Sequence, residues 1–71
     1  MFKYTIVIEK ANGNYSAYCP DLPGCIATGA NVEEATGRMK AAIEFHIEGL
    51  KAEGLHIPPP ATTAVLVEVA L

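Results

Sequence analysis

Two cysteines, two histidines and eight carboxylates are the groups in this 71-residue chain with chemistry to offer. Cys19 and Cys25 are six positions apart, close enough for one disulfide or for half of a zinc site. A four-ligand zinc site needs two more donors at close spacing, and His46 and His56 do not complete a familiar pattern. The two thiols therefore read as reduced, small apolar side chains of a core. His46 is a possible general base, but no Ser, Cys or Asp partner is placed for it by spacing. It falls among apolar residues at helical spacing and reads as a packing side chain, with His56 solvated. A nuclease working through two metal ions needs several carboxylates gathered at one place. Glu9 lies near a turn, Asp21 lies in a corner, and most other acids fall on the outer face of a helix. No catalytic residue, metal site or cofactor is expected, and the chain does not read as an enzyme.

Tyr15 and Tyr18 are the residues that would stack on nucleic-acid bases, as sheet tyrosines do in RNA-binding modules. That use needs a basic face. The net charge is −3 and the isoelectric point about 5.1, and Lys3, Lys10, Arg38, Lys40 and Lys51 form no run. Direct nucleic-acid binding is not expected. An acidic surface suits a basic protein partner instead.

The elements that must position these groups are arranged around one stretch, residues 18–25, read Tyr-Cys-Pro-Asp-Leu-Pro-Gly-Cys. Pro20 and Pro23 fix their own φ and bias the residues before them toward extended geometry. Gly24 is free to take a positive φ. Pro20, Asp21, Pro23, Gly24 and Cys25 thus form a rigid corner between two strands, with the Asp21 carboxylate expected to accept from backbone N–H groups of the corner itself.

Before the corner, residues 3–9 alternate as a strand and Asn12-Gly13 is a strong hairpin signal, with a return strand over 14–19. A two-residue turn sets Ile8 opposite Ala17 and Val7 opposite Tyr18. Tyr4, Ile6, Ile8, Tyr15, Ala17 and Cys19 then share the core face. Thr5, Val7, Glu9, Ser16 and Tyr18 share the other face, which is only half polar. After the corner comes a short strand over 25–28. Asn31 with Glu34 resembles a capping box opening a helix from 32 to about 53. Val32, Ala35, Met39, Ala42, Ile43, His46, Ile47 and Leu50 form its apolar stripe, and Gly54 is placed as a left-handed cap with Leu55 following it. Pro58-Pro59-Pro60 is a stiff extended spacer. Residues 62–69 read as a last strand, apolar on both faces. The expected core is Ile6, Ile8, Ala17, Cys19, Met39, Ile43 and Leu50. The predicted fold is α+β, β-β-β-α-β, a four-stranded mixed sheet of order 3-2-1-4 with one helix on one face and a right-handed crossover. Residues 1–71 are expected to be a single domain.

Asp21-Leu22-Pro23-Gly24-Cys25 resembles the signature of the HicB antitoxin family and its short stand-alone relatives. The alternating strand and the tyrosine-bearing strand before it support the resemblance, as do the helix start at Thr28-Gly29-Ala30-Asn31-Val32-Glu33-Glu34-Ala35 and the helix ending at Glu48-Gly49-Leu50, with Gly54 and Ile57-Pro58 beyond. The likeness spans about residues 3–60. It implies a truncated ribonuclease-H-like fold and an antitoxin that binds and inhibits HicA, a small basic toxin that cleaves mRNA. Full-length relatives usually add a C-terminal helix-turn-helix or ribbon-helix-helix segment. This sequence ends at Leu71, after the last predicted strand, so only the inhibitory domain is carried over. Contacts with such a toxin are expected from the corner and sheet, through Tyr18, Asp21, Leu22, Pro23 and Val7. The alternative is a stand-alone homo-oligomeric binding protein with some other partner.

Hydrophobic residues make up 51% of the chain, high for a domain with so little interior, which calls for a dimer or tetramer. Met1-Phe2-Lys3 runs straight into a strand pattern, with no signal peptide, and no apolar run is long enough to cross a bilayer. The expected location is the cytoplasm.

Overall fold

The computed structural model describes residues 2–71. It holds a three-stranded antiparallel sheet, with β1 (Val7–Ala11), β2 (Asn14–Tyr18) and β3 (Ile26–Gly29), followed by one helix, α1 (Val32–Ala52). The sheet order is β1-β2-β3. The hairpin register is the one the Asn12-Gly13 turn dictates: Ile8 opposes Ala17, Val7 opposes Tyr18 and Ala11 opposes Asn14. Gly13 takes the positive φ that such a turn requires. The first strand begins at Val7, later than the sequence pattern suggests. β2 ends at Tyr18, and Pro20 turns the chain away with no N–H to offer, so residues 3–6 have no neighbouring ladder.

α1 lies on one face of the sheet and packs chiefly on β3 and β2, only lightly on β1. Its start is fixed by side chains. Asn31 Oδ1 accepts from Glu34 N at 2.8 Å, and Glu34 Oε1 reaches back to Ala30 N at 3.0 Å, two otherwise orphaned donors satisfied at once. Its end is a Schellman turn. Leu55 N donates to Leu50 O at 2.9 Å and Gly54 N to Lys51 O at 3.0 Å, with Gly54 at φ 66°.

The buried core is Ala17, Cys19, Leu22, Cys25, Ala35 and Met39. Tyr4, Ile6, Ile8, Tyr15, Ala27, Ala42 and Ile43 pack around it. This corrects the expected core in one respect. Ile6, Ile8, Ile43 and Leu50 are only half-buried, because α1 leans toward β3 and leaves the β1 side thinly covered. Leu22, Cys25 and Ala35 occupy the centre instead. Gly29 permits that lean. A Cβ placed there would sit 2.5 Å from Ala35 N, so only glycine lets the helix backbone approach β3 so closely.

The predicted fourth strand, 62–69, does not form, and the order 3-2-1-4 is not seen: the sheet has three strands. Pro58, Pro59 and Pro60 have no N–H to donate, and those of Ala61 and Thr62 are both taken by the Asp21 carboxylate. The chain is thus fixed at residues 61–62 by a side chain and not by a ladder, and every residue from 63 to 71 is exposed.

Candidate partner-binding surface

The corner consists of two successive tight turns. Leu22 N donates to Cys19 O at 3.1 Å, and Cys25 N donates to Leu22 O at 3.1 Å. Pro20 and Pro23 each follow the first residue of their turn, where their fixed φ is suited. Gly24 follows Pro23 with φ 83°, the pairing a type II turn requires. Cys19 N also donates to Cys25 O at 3.3 Å, closing the base of the loop. The two cysteines that bracket it are free thiols, both buried. Burial pushes the Cys25 thiol up, and neighbouring Cys19 adds to the shift, so it stays protonated in the core.

Asp21 does not cap its own corner, as the sequence suggests. It reaches across to the segment after the proline run. Oδ2 accepts from Ala61 N at 3.0 Å and Thr62 N at 3.2 Å, and Oδ1 accepts from the Thr62 hydroxyl at 2.9 Å. These bonds hold its carboxyl below the usual aspartate range. The Ala61 N–H contributes most, partial desolvation opposes, and Thr62 adds to the lowering. Two hydroxyls complete the tie from the other side. Tyr4 Oη donates to Pro58 O at 2.6 Å and Thr5 Oγ1 donates to Thr62 O at 2.9 Å. Burial raises the Tyr4 phenol, with Cys19 and Asp21 adding to the shift, so it remains a proton donor there.

The sheet face opposite α1 is uncovered. Across it runs one row, Val7 opposite Tyr18 and Tyr18 opposite Ile26. Tyr18 is 41% exposed and Ile26 70% exposed, so the row is an apolar strip open to a partner. Glu9, Ser16 and Thr28 form the adjoining row. Of the residues expected to meet a partner, Val7 and Tyr18 lie on this face, and Pro23 is exposed at the corner. Asp21 is half-buried in its tie, and Leu22 is fully buried in the core, with no surface to offer in this conformation. Ile26 was missed. The alternation after Cys25 points to it: Cys25 and Ala27 face inward, so Ile26 and Thr28 face out. Tyr15, weighed as a base-stacking residue, packs on the core instead.

The chemical candidates are scattered. Glu9 is exposed on the open face and His56 is exposed beyond α1. His46 and Cys25 both line a shallow groove between the corner and the second half of α1, with Ile26, Phe45 and Leu50. No group of three or more metal-ligating side chains is gathered among the described residues. No helix among them is long and apolar enough to cross a membrane.

Comparison with known proteins places this geometry. A family model described as the HicB-like antitoxin of bacterial toxin-antitoxin systems matches residues 4–69. An uncharacterized 14.9 kDa protein of Haemophilus phage HP1 is 44% identical over 55 residues, 78% of this chain and 41% of the phage protein. This chain therefore spans less than half of that relative. A UPF0150 protein of Synechocystis is 44% identical over 61 residues, 84% of this chain and 75% of its own length. Another, of Thermoplasma acidophilum, is 42% identical over 57 residues, 79% and 83% of the two chains. Among solved structures, a chain of the HicA3 and HicB3 toxin-antitoxin complex matches with a TM-score of 0.72 at 33% identity, covering 83% of this chain and 70% of that one. With a family match over nearly its whole length, and a shared fold at appreciable identity, the chain belongs to the HicB-like antitoxin family.

Proposed function

We propose that this protein is an antitoxin that acts by binding, covering a HicA-like toxin and blocking the surface with which that toxin engages RNA. The observation that carries the reading is the likeness to a chain of the HicA3 and HicB3 complex, at a TM-score of 0.72 and 33% identity. The corner and the open sheet face supply the contact surface, through Val7, Tyr18, Ile26 and Pro23. An aromatic ring flanked by two aliphatic side chains is the kind of anchor on which interface energy concentrates. The net charge of −3 speeds association with a basic partner at low salt. The protein has no catalytic role in this reading, works in the cytoplasm and assembles as a dimer or tetramer. The fold serves as scaffold only.

The test is co-expression with the product of the neighbouring gene, scored by growth rescue and by pull-down. Wild type rescues and co-purifies. Tyr18→Asp and Ile26→Asp, both on exposed positions and checked for an unchanged circular dichroism spectrum, lose rescue and pull-down together. Rescue that survives both substitutions removes the sheet face from the interface. Metal-dependent cleavage of RNA by the purified protein alone overturns the antitoxin reading.

A further inference from the structure

The segment beyond Thr62 has an alternating apolar pattern and nothing to bury it in. Val65 and Val67 are each 75% exposed and Val69 71%, with Leu66 and Leu71 also fully open. The molecule is correspondingly drawn out. Its principal extents are 49 × 26 × 19 Å, and its radius of gyration of 13.8 Å exceeds the roughly 11 Å of a compact chain of this length. Its accessible surface of 5605 Å² exceeds the roughly 4,200 Å² of a folded monomer of 7.5 kDa by about 1,400 Å². That excess is larger than the roughly 800 Å² each partner contributes to a standard interface.

The body of the same molecule carries the complementary defect. β1 is an edge strand with no neighbour on its outer side. The other edge, β3, is crossed by α1 and by the Arg38 guanidinium, which donates to Thr28 O at 3.1 Å. Beside the stretch that leads into β1, on the core side, lies an apolar groove of about 220 Å³ lined by Tyr4, Ile6 and Ile43, with Thr36, Lys40 and Glu44 at its margin. It exists because α1 leans toward β3. A strand added at the β1 edge would set every second side chain into the groove. Each copy thus has one unpaired apolar strand and one unpaired edge above an apolar groove. Its own arm is carried away from its own edge by the Asp21 tie at Ala61 and Thr62.

We propose that residues 63–71 are an exchanged strand: the arm of one copy adds to the β1 edge of a second copy, seating Val65, Val67 and Val69 over Tyr4, Ile6 and Ile43, and the exchange is reciprocal. The occupant is a second copy because only a second copy offers arm and edge in equal number, so a two-fold pair leaves neither unsatisfied. Strand addition also removes the aggregation hazard of an open edge. The arrangement does not depend on the antitoxin reading, and its test does not involve a toxin.

The experiment uses the full chain at micromolar concentration. Sedimentation equilibrium is expected to give twice the chain mass or an even multiple of it. Val67→Pro removes the central ladder donor of the arm and is expected to halve that mass while the helical circular dichroism signal persists. A mixture of isotope-labelled and unlabelled protein, refolded together, is expected to show isotope-filtered NOEs from arm valine methyls of one copy to Ile6 or Ile43 of the other. These NOEs are read on the wild type, so they decide the matter even if Val67→Pro fails to fold. A wild-type monomer, an assembly that Val67→Pro leaves intact, or arm contacts found only within one copy overturns the proposal.

Discussion

Asp21 commits both carboxylate oxygens to a segment 40 residues away in sequence, and its ionisation should report on that tie. The bonds hold its folded pKa below the ordinary value, so the stabilisation is complete above the unfolded range of about 3.9. It is lost as pH falls through the lower, folded value. Acidification below about pH 4 is therefore expected to free Ala61 and Thr62, seen as collapse of their amide shifts toward random-coil values. Asp21→Ala should give the same shifts at neutral pH. The cysteines make a second prediction at this scale. Cys19 and Cys25 are buried free thiols, so intact-mass analysis under non-reducing, alkylating conditions should find both modified after unfolding and neither readily modified before it. Their burial as small apolar side chains of the core was legible in the sequence. The sequence did not show where the Asp21 carboxylate points, because an Asx turn and a long-range tie demand the same residue in the same corner.

The elements legible in the sequence were those whose signals are local. The Asn12-Gly13 turn set the register, the Asn31 and Glu34 box set the helix start, and Gly54 set its end; all three appear where the residues place them. The last strand failed because strand identity depends on a neighbour, and a two-sided apolar pattern says only that some neighbour is wanted. Core depth at Ile43 and Leu50 failed for a related reason. Helical periodicity gives the direction of a side chain but not the tilt of the helix, and here the tilt is set by Gly29 at its contact with Ala35. Gly29→Ala is accordingly expected to cost at least about 1–3 kcal/mol through overpacking, lowering the melting temperature by roughly 4–8 °C for each kcal/mol. Asn31→Ala should cost about 0.5–2 kcal/mol by loss of the cap. Differential scanning calorimetry checks both, and a Gly29→Ala protein with unchanged melting would mean that the close approach can relax freely.

At the scale of the molecule, the proposed capture surface is what the fold leaves uncovered. One helix covers one face of the sheet, so the strip of Val7, Tyr18 and Ile26 faces outward on the other. The acidic balance of the chain adds a kinetic expectation. If toxin capture is steered by charge, its association rate should fall steeply between low and physiological salt while dissociation changes little, as stopped-flow mixing at two ionic strengths can measure. His46 is half-buried on the helix side of the groove between the corner and α1, and is not part of the sheet row itself. His46→Gln should therefore leave toxin neutralisation unchanged, and loss of rescue in a folded variant would place that groove in the interface.

The long reach of Asp21 also fixes an order of events in folding. The hairpin, the corner turns and both helix ends are closed by bonds between residues near one another in the chain, and such contacts form early and quickly. The tie to Ala61 and Thr62 spans 40 residues of chain, at an entropic cost of closure that nearby turns do not bear. The tie should thus be absent from the folding transition state. Asp21→Ala is expected to leave the refolding rate nearly unchanged and to speed unfolding, so that the carboxylate serves as a latch on the finished molecule and not as a guide to its assembly.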